Sequence, residues 1–242
     1  MRNLESYTNE YLDLPFERTQ ELYRREAVVD YINQNNAQNI LEIGCGVNPI
    51  FTSLDPAYSV TVIEPSKELF NIALFKSGNY KNAKVINSTI ENLQSSAEFD
   101  LIILSSILHE VIDKQKFMDK VLSLCGKDTR IYINVPNAKS FHRLLAVGMG
   151  LIEDEFEISS TQLKMQQESQ PFTIESLTNF VQNSGFFVLD FGTIFIKPFT
   201  HMQMQTLIDS SFLNKQILDG LNKLSQYLPE LGSEIWMSAK RK

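Results

Sequence analysis

The chain has 242 residues, 43% of them hydrophobic, with 22 basic against 29 acidic side chains and a formal net charge of −7. That is ample apolar material for one α/β domain with an insertion, and the acidic balance excludes a large nucleic-acid footprint, which would show as a basic face. The two cysteines, Cys45 and Cys125, form neither a CxxC pair nor a Cys/His cluster, so no disulfide scaffold, zinc ribbon or other metal site is expected.

At its head the chain reads Met1-Arg2-Asn3-Leu4-Glu5, without an apolar signal region, and no later apolar run approaches the ~18 residues of a membrane span. The expectation is a cytoplasmic protein with small-molecule partners, no nucleic acid and no membrane. A leading segment, residues 1–36, carries a helix over about Glu17–Gln34 in which Leu22, Val29 and Ile32 share one face. Its basic residues Arg18, Arg24 and Arg25 are expected to be solvated or salt-bridged.

The organising stretch follows: Asn39-Ile40-Leu41-Glu42-Ile43-Gly44-Cys45-Gly46-Val47-Asn48, a buried parallel strand stopped by a glycine turn. The crevice beyond the first strand of an open α/β sheet is where nucleotide-like cofactors bind. A dinucleotide loop would read G-x-G-x-x-G, whereas this one reads G-C-G-V-N-P and lacks the third glycine. With Glu42 at the strand end, the stretch resembles motif I of the class I S-adenosylmethionine (SAM) methyltransferases. The resemblance implies that Glu42, Gly44, Cys45 and Gly46 surround SAM, and its product S-adenosylhomocysteine, near the methionine part. Val60–Glu64 is a second, β-branched strand, ending in a carboxylate at the spacing that ribose binding requires. Glu64 is the second anchor, with Pro65 beside it. Ser66 then starts a helix whose expected apolar face is Leu69, Phe70, Ala73 and Leu74.

The third strand, Lys84–Asn87, leads into a turn that in the resembling family often carries an Asp for the adenine amino group, followed by an apolar residue. Thr89 stands in that place here, and Ile90 follows. Phe99–Ser106 is the strongest strand, and Ser105-Ser106-Ile107-Leu108-His109-Glu110 resembles motif IV of small-molecule methyltransferases. Ser105 and Ser106 are thereby expected at the cofactor's reacting end. The N/D-P-P-Y/F turn of enzymes that methylate base or amide nitrogens is absent, so a hydroxyl acceptor is expected. His109 is either a general base or a histidine packed beneath the next helix.

Asp113 caps that helix, with Phe117, Val121 and Leu124 on one face, and Arg130–Val135 is the fifth strand, stopped by Pro136. An insertion over about residues 137–171 is expected to build a substrate cover. It holds a helical piece, Ser140–Ala146, and its Pro136–Ile152 stretch is similar to a bacterial methyltransferase group found with surface-polysaccharide and other specialised sugar pathways. Thr173 caps a further helix. Phe186–Phe191, Ile194–Ile196 and Glu234–Ala239 read as strands, and His201–Leu231 reads as helical; the resemblance implies that the closing strand pair has one antiparallel member.

The resemblance implies a single domain over residues 1–242: α/β, a Rossmann-like seven-stranded methyltransferase sheet with helices on both faces and a helical cap. The expected activity is SAM-dependent methyl transfer to a hydroxyl of a sugar-like or other specialised small molecule. His109 is the candidate base, and His142 with Arg143 is expected to position the acceptor. The alternatives are an RNA or protein methyltransferase and a SAM-binding protein without catalysis. The acceptor and the oligomeric state stay open.

Overall fold

The computed structural model describes residue 8 and residues 13–94, 98–159, 162–163 and 169–242. Seven strands form one sheet: β1 (Asn39–Ile43), β2 (Ser59–Ile63), β3 (Ala83–Ile86), β4 (Leu101–Ser105), β5 (Arg130–Pro136), β6 (Phe186–Ile194) and β7 (Glu234–Arg241). Their spatial order is β3-β2-β1-β4-β5-β7-β6, with β1 to β5 mutually parallel and β7 antiparallel to both of its neighbours. The chain leaves β1 towards β2 and β3 and then returns to β1's other side as β4, so the strand order reverses between β1 and β4. Such a reversal opens a crevice at the carboxyl ends of the two strands.

Both faces of the central strands are covered, which is why β1 and β4 read as nearly continuous apolar runs. On one face Leu41, Ile43, Ile102, Leu104, Ile131 and Ile133 pack against α3 (Lys114–Leu124) and α5 (Ile174–Asn183) through Phe117, Val121, Leu177 and Val181. On the other face Ile40, Val60, Val62, Leu101, Ile103 and Tyr132 meet Val28 and Ile32 of α1 (Glu17–Asn35) and Ala73 of α2 (Lys67–Ser77). A third cluster, with Phe16, Tyr23, Phe195 and Met204, joins the start of α1 to the segment after β6 and to α6 (His201–Asp209).

Several expectations need correction. The inward stripe of α1 is Gln20, Tyr23, Arg24, Val28, Tyr31 and Ile32, and Leu22 is exposed. The reason is electrostatic: Gln20 and Arg24 are drawn inside by Glu234, the first residue of β7. Helix α2 touches the sheet along a narrow stripe, so Leu69 and Ala73 are buried while Phe70 is only half-buried and Leu74 is exposed. Strand β6 is continuous rather than broken, with a register irregularity between Val188 and Asp190. The region expected to be one helical stretch after His201 holds two helices, α6 and α7 (Lys215–Leu224), separated by Ser211 at a φ of 62°.

The caps follow the sequence. Ser66 Oγ accepts from the Leu69 N–H, Asp113 Oδ1 from that of Lys116, and Thr173 forms a reciprocal capping box with Ser176. Within the insertion, α4 (Phe141–Gly148) is followed by a bend at Gly150, whose φ is 68°. Residues 160–161 and 164–168 of the expected cover lie outside the described residues. Among the described residues, no helix is long and apolar enough to cross a membrane.

Candidate functional site

The crevice at the β1/β4 reversal opens into a cavity of about 760 Å³ that runs from the glycine loop to the insertion. This is within the usual size of small-molecule sites, roughly 300–1,000 Å³. At one end the chain leaves β1 through Gly44 and Gly46, with φ of 72° and 53°. Those left-handed values favour glycine. At Gly44 space adds to the demand, since a Cβ there would meet Ile107 Cδ1 at 3.2 Å.

Two carboxylates brace the loop from beneath. Glu42 Oε2 accepts the Ile50 N–H at 2.9 Å, and Glu64 accepts the N–H groups of Cys45 at 3.1 Å and Ser66 at 2.8 Å. Burial pushes Glu42 up to about 8, with Glu64 adding to the rise and the Ile50 N–H and Arg25 opposing it. Burial likewise raises Glu64, against its two backbone hydrogen bonds. Two buried acids facing one cavity favour a ligand that brings a cation and hydroxyl donors. The Cys45 thiol is pushed far up by burial and by both acids, so it is an inert part of the wall. The outer side of the loop is held by Lys76, whose Nζ donates to Val47 O and Asn48 Oδ1, both at 2.7 Å, while Asn48 Nδ2 donates to Glu21. Thr8 and Ser66 join hydroxyls at 3.0 Å beside Glu64.

Ser105 and Ser106 lie where β4 enters the cavity, and Ser106 turns the chain with a φ of 57°. His109 follows in a short 3-10 turn, Leu108–Glu110. It is buried yet on the cavity wall, with Nε2 3.8 Å from Glu110 Oε1. His142, from α4, lines the far end. Its Nδ1 is shielded from solvent and, among the described residues, has no hydrogen-bond partner. Burial, then the charges of Lys197, His201 and Arg143, hold the imidazole well below its ordinary range, so it is neutral. Arg143 mainly pins the cover: its Nε donates to Glu155 O at 2.8 Å, and Nη2 reaches Glu157 O.

Of the residues named from the sequence, Glu42, Gly44, Cys45, Gly46, Glu64, Pro65, Ser105, Ser106, His109 and His142 share this one cavity. Thr89 and Ile90 do not line it. Ile90 is packed in the core at the Ile90–Asn92 turn, and Thr89 is exposed, its hydroxyl accepting from Asn92 Nδ2 at 3.3 Å. Sequence reading also missed much of the far wall. Lys197, His201, Glu17, Arg24 and Glu234 all line it. Arg24 donates to Glu234 through Nε at 2.8 Å and Nη2 at 2.6 Å, and to Glu17 at 3.1 Å. Burial alone would raise Glu234, but Arg24 and the side chain of Gln20 together hold it below the usual carboxylate range. The one sequence signal for Lys197 was a charge set among Phe195, Ile196, Pro198 and Phe199 at a strand end.

A family model described as a methyltransferase domain matches residues 16–190. A curated relative, the ubiquinone biosynthesis O-methyltransferase of Rickettsia bellii, is 29% identical over 98 residues, covering 40% of this chain and 41% of that protein. The chain thus matches about two-fifths of that relative's length. Among solved structures, the 1,6-didemethyltoxoflavin-N1-methyltransferase of Burkholderia thailandensis is similar, with a TM-score of 0.64 at 14% identity over 99% of this chain and 87% of that one. The N-methyltransferase NodS of Bradyrhizobium japonicum, in complex with S-adenosylhomocysteine, gives a TM-score of 0.57 at 12% identity, covering 95% of this chain and 89% of that one. At such identities the two structures speak for the fold.

Proposed function

The chain belongs to the methyltransferase-domain family, and from that premise we propose that it transfers a methyl group from SAM to a hydroxyl of a small molecule. One observation carries the reading: a single cavity joins the Gly44–Gly46 loop and the acids Glu42 and Glu64 to the two histidines His109 and His142. The residues fit the cofactor. Glu64 has lone pairs left for ribose hydroxyls, and buried Glu42, which holds a proton at neutral pH without ligand, would ionise beside the methionine ammonium. When bound, SAM supplies an already activated methyl group.

The protein's share is alignment, exclusion of water and removal of a proton. His109 takes the acceptor's hydroxyl proton, and Glu110 Oε1, 3.8 Å from its Nε2, stabilises the imidazolium. An oxygen acceptor is favoured by the curated relative's being an O-methyltransferase and by the absence of an N/D-P-P-Y/F turn after β4. A small acceptor agrees with the cavity's volume of about 760 Å³ and with the net charge of −7, which disfavours nucleic acid.

The test is a screen for methyl transfer from labelled SAM onto hydroxylated metabolites, followed by kinetics on the acceptor found. His109→Ala should lower kcat about 100-fold or more while leaving S-adenosylhomocysteine affinity nearly unchanged. Wild-type turnover in that variant would exclude His109 as the base.

A further inference from the structure

The end of the cavity away from the glycine loop contains a lysine that the reaction above does not use. Lys197 is 1% exposed, yet it lines the cavity. It sits just beyond β6, where Phe195 takes a left-handed φ of 57°, a costly backbone for a bulky residue. Phe195 is held there by rings on either side, 5.8 Å from Phe16 and 4.9 Å from Tyr23 between centroids. The strained turn fixes the path of the chain into Lys197.

Lys197 Nζ lies 3.1 Å from Nδ1 of His201, a neutral partner. Among the described residues no carboxylate is within 4.0 Å of it. The two acids whose charges act on it are engaged elsewhere: Glu234 by Arg24 and Gln20, and Glu17 by Arg24. His142 lines the same cavity, its Nδ1 shielded and, among the described residues, without a hydrogen-bond partner. An ammonium with one neutral partner and an imidazole nitrogen with none are both unfavourable in a buried wall. A ligand oxyanion would accept from Lys197 Nζ and supply the missing negative charge, which a neutral hydroxyl would not.

We propose that Lys197, with His142 and His201, forms an oxyanion subsite, so that the methyl acceptor carries a carboxylate or a phosphate ester besides the hydroxyl that is methylated. This rests on the reading of the cavity as the methyl-transfer site. Burial pushes Lys197 down to about 7, with Glu17 and Glu234 drawing it back and Arg24 and Arg143 pushing it further. A bound oxyanion restores its full charge.

The test begins with S-adenosylhomocysteine binding to the full chain, by calorimetry; failure there overturns the cofactor reading itself. The saturated protein is then titrated with benzoate, phenyl phosphate and the neutral isostere benzamide. At least one anion should bind about tenfold or more tighter than benzamide, and the ratio of the two anions tells carboxylate from phosphate ester. Lys197→Met should lose that preference while S-adenosylhomocysteine affinity stays within about twofold. Equal binding of benzamide, or no saturable binding of either anion, overturns the subsite without recourse to a variant. A folded Lys197→Met protein that keeps its anion preference but loses turnover also overturns it and assigns Lys197 to proton transfer.

Discussion

Glu42 and Glu64 were both legible in the sequence because each stands where an apolar strand stops, and residue type with spacing suffices for such positions. Lys197 and His201 were not, because nothing local marks them; they reach the cavity through the turn at Phe195 and the packing of α6. Thr89 and Ile90, matched by analogy, lie outside the cavity lining, with Ile90 packed in the core. The environment of Glu42 has a consequence for pH. Its folded value, about 8, lies above the ordinary 4.5, so between these values the folded chain holds a proton that the unfolded chain has released. This contribution favours folding at low pH and is lost as pH rises towards 8. Denaturant titrations of the ligand-free protein should show Glu42→Gln removing a downward slope in stability across that window. An unchanged slope would mean that Glu42 is already ionised.

At the scale of elements, the strands and most caps were predictable, whereas the inward face of α1 was not. Counting apolar spacing selected Leu22, while the buried stripe includes Gln20 and Arg24, whose common partner Glu234 is 210 residues from Arg24. No local pattern reveals a polar residue that is inside because its partner is distant. The link ties α1 to the first residue of β7 and thereby closes the far wall of the cavity. Removing one partner of a buried, hydrogen-bonded ion pair leaves the other uncompensated, so Glu234→Ala should cost about 3–5 kcal/mol of unfolding free energy. Urea unfolding checks this, and a loss below about 1 kcal/mol would place the pair among weak surface bridges. Gly44→Ala makes a complementary test of the loop. With a φ of 72° and Ile107 Cδ1 at 3.2 Å, it should weaken S-adenosylhomocysteine binding as well as stability. Unaltered affinity would show that the loop tolerates a side chain.

For the whole molecule, the sheet order brings the carboxyl ends of β1, β2 and β4 to one crevice, and residues of the segment after β5, among them His142 and Ile152, line it. The α/β alternation made the parallel strands readable in advance, since these require crossover helices that show in the sequence, while the antiparallel member of the closing pair was implied only by the family resemblance. The far wall of the cavity was the illegible part, being assembled from α1, α4, the segment after β6, α6 and β7, which are far apart in the chain. In the function proposed above, the Gly44–Gly46 loop and Glu64 hold SAM. Titration calorimetry of S-adenosylhomocysteine against wild type and Glu64→Ala tests it most directly. Wild type should bind with micromolar affinity, weakened by about 1.5–3 kcal/mol in the variant through loss of a charged hydrogen-bond acceptor. Equal affinity in a folded Glu64→Ala protein, or no binding to wild type, would contradict it.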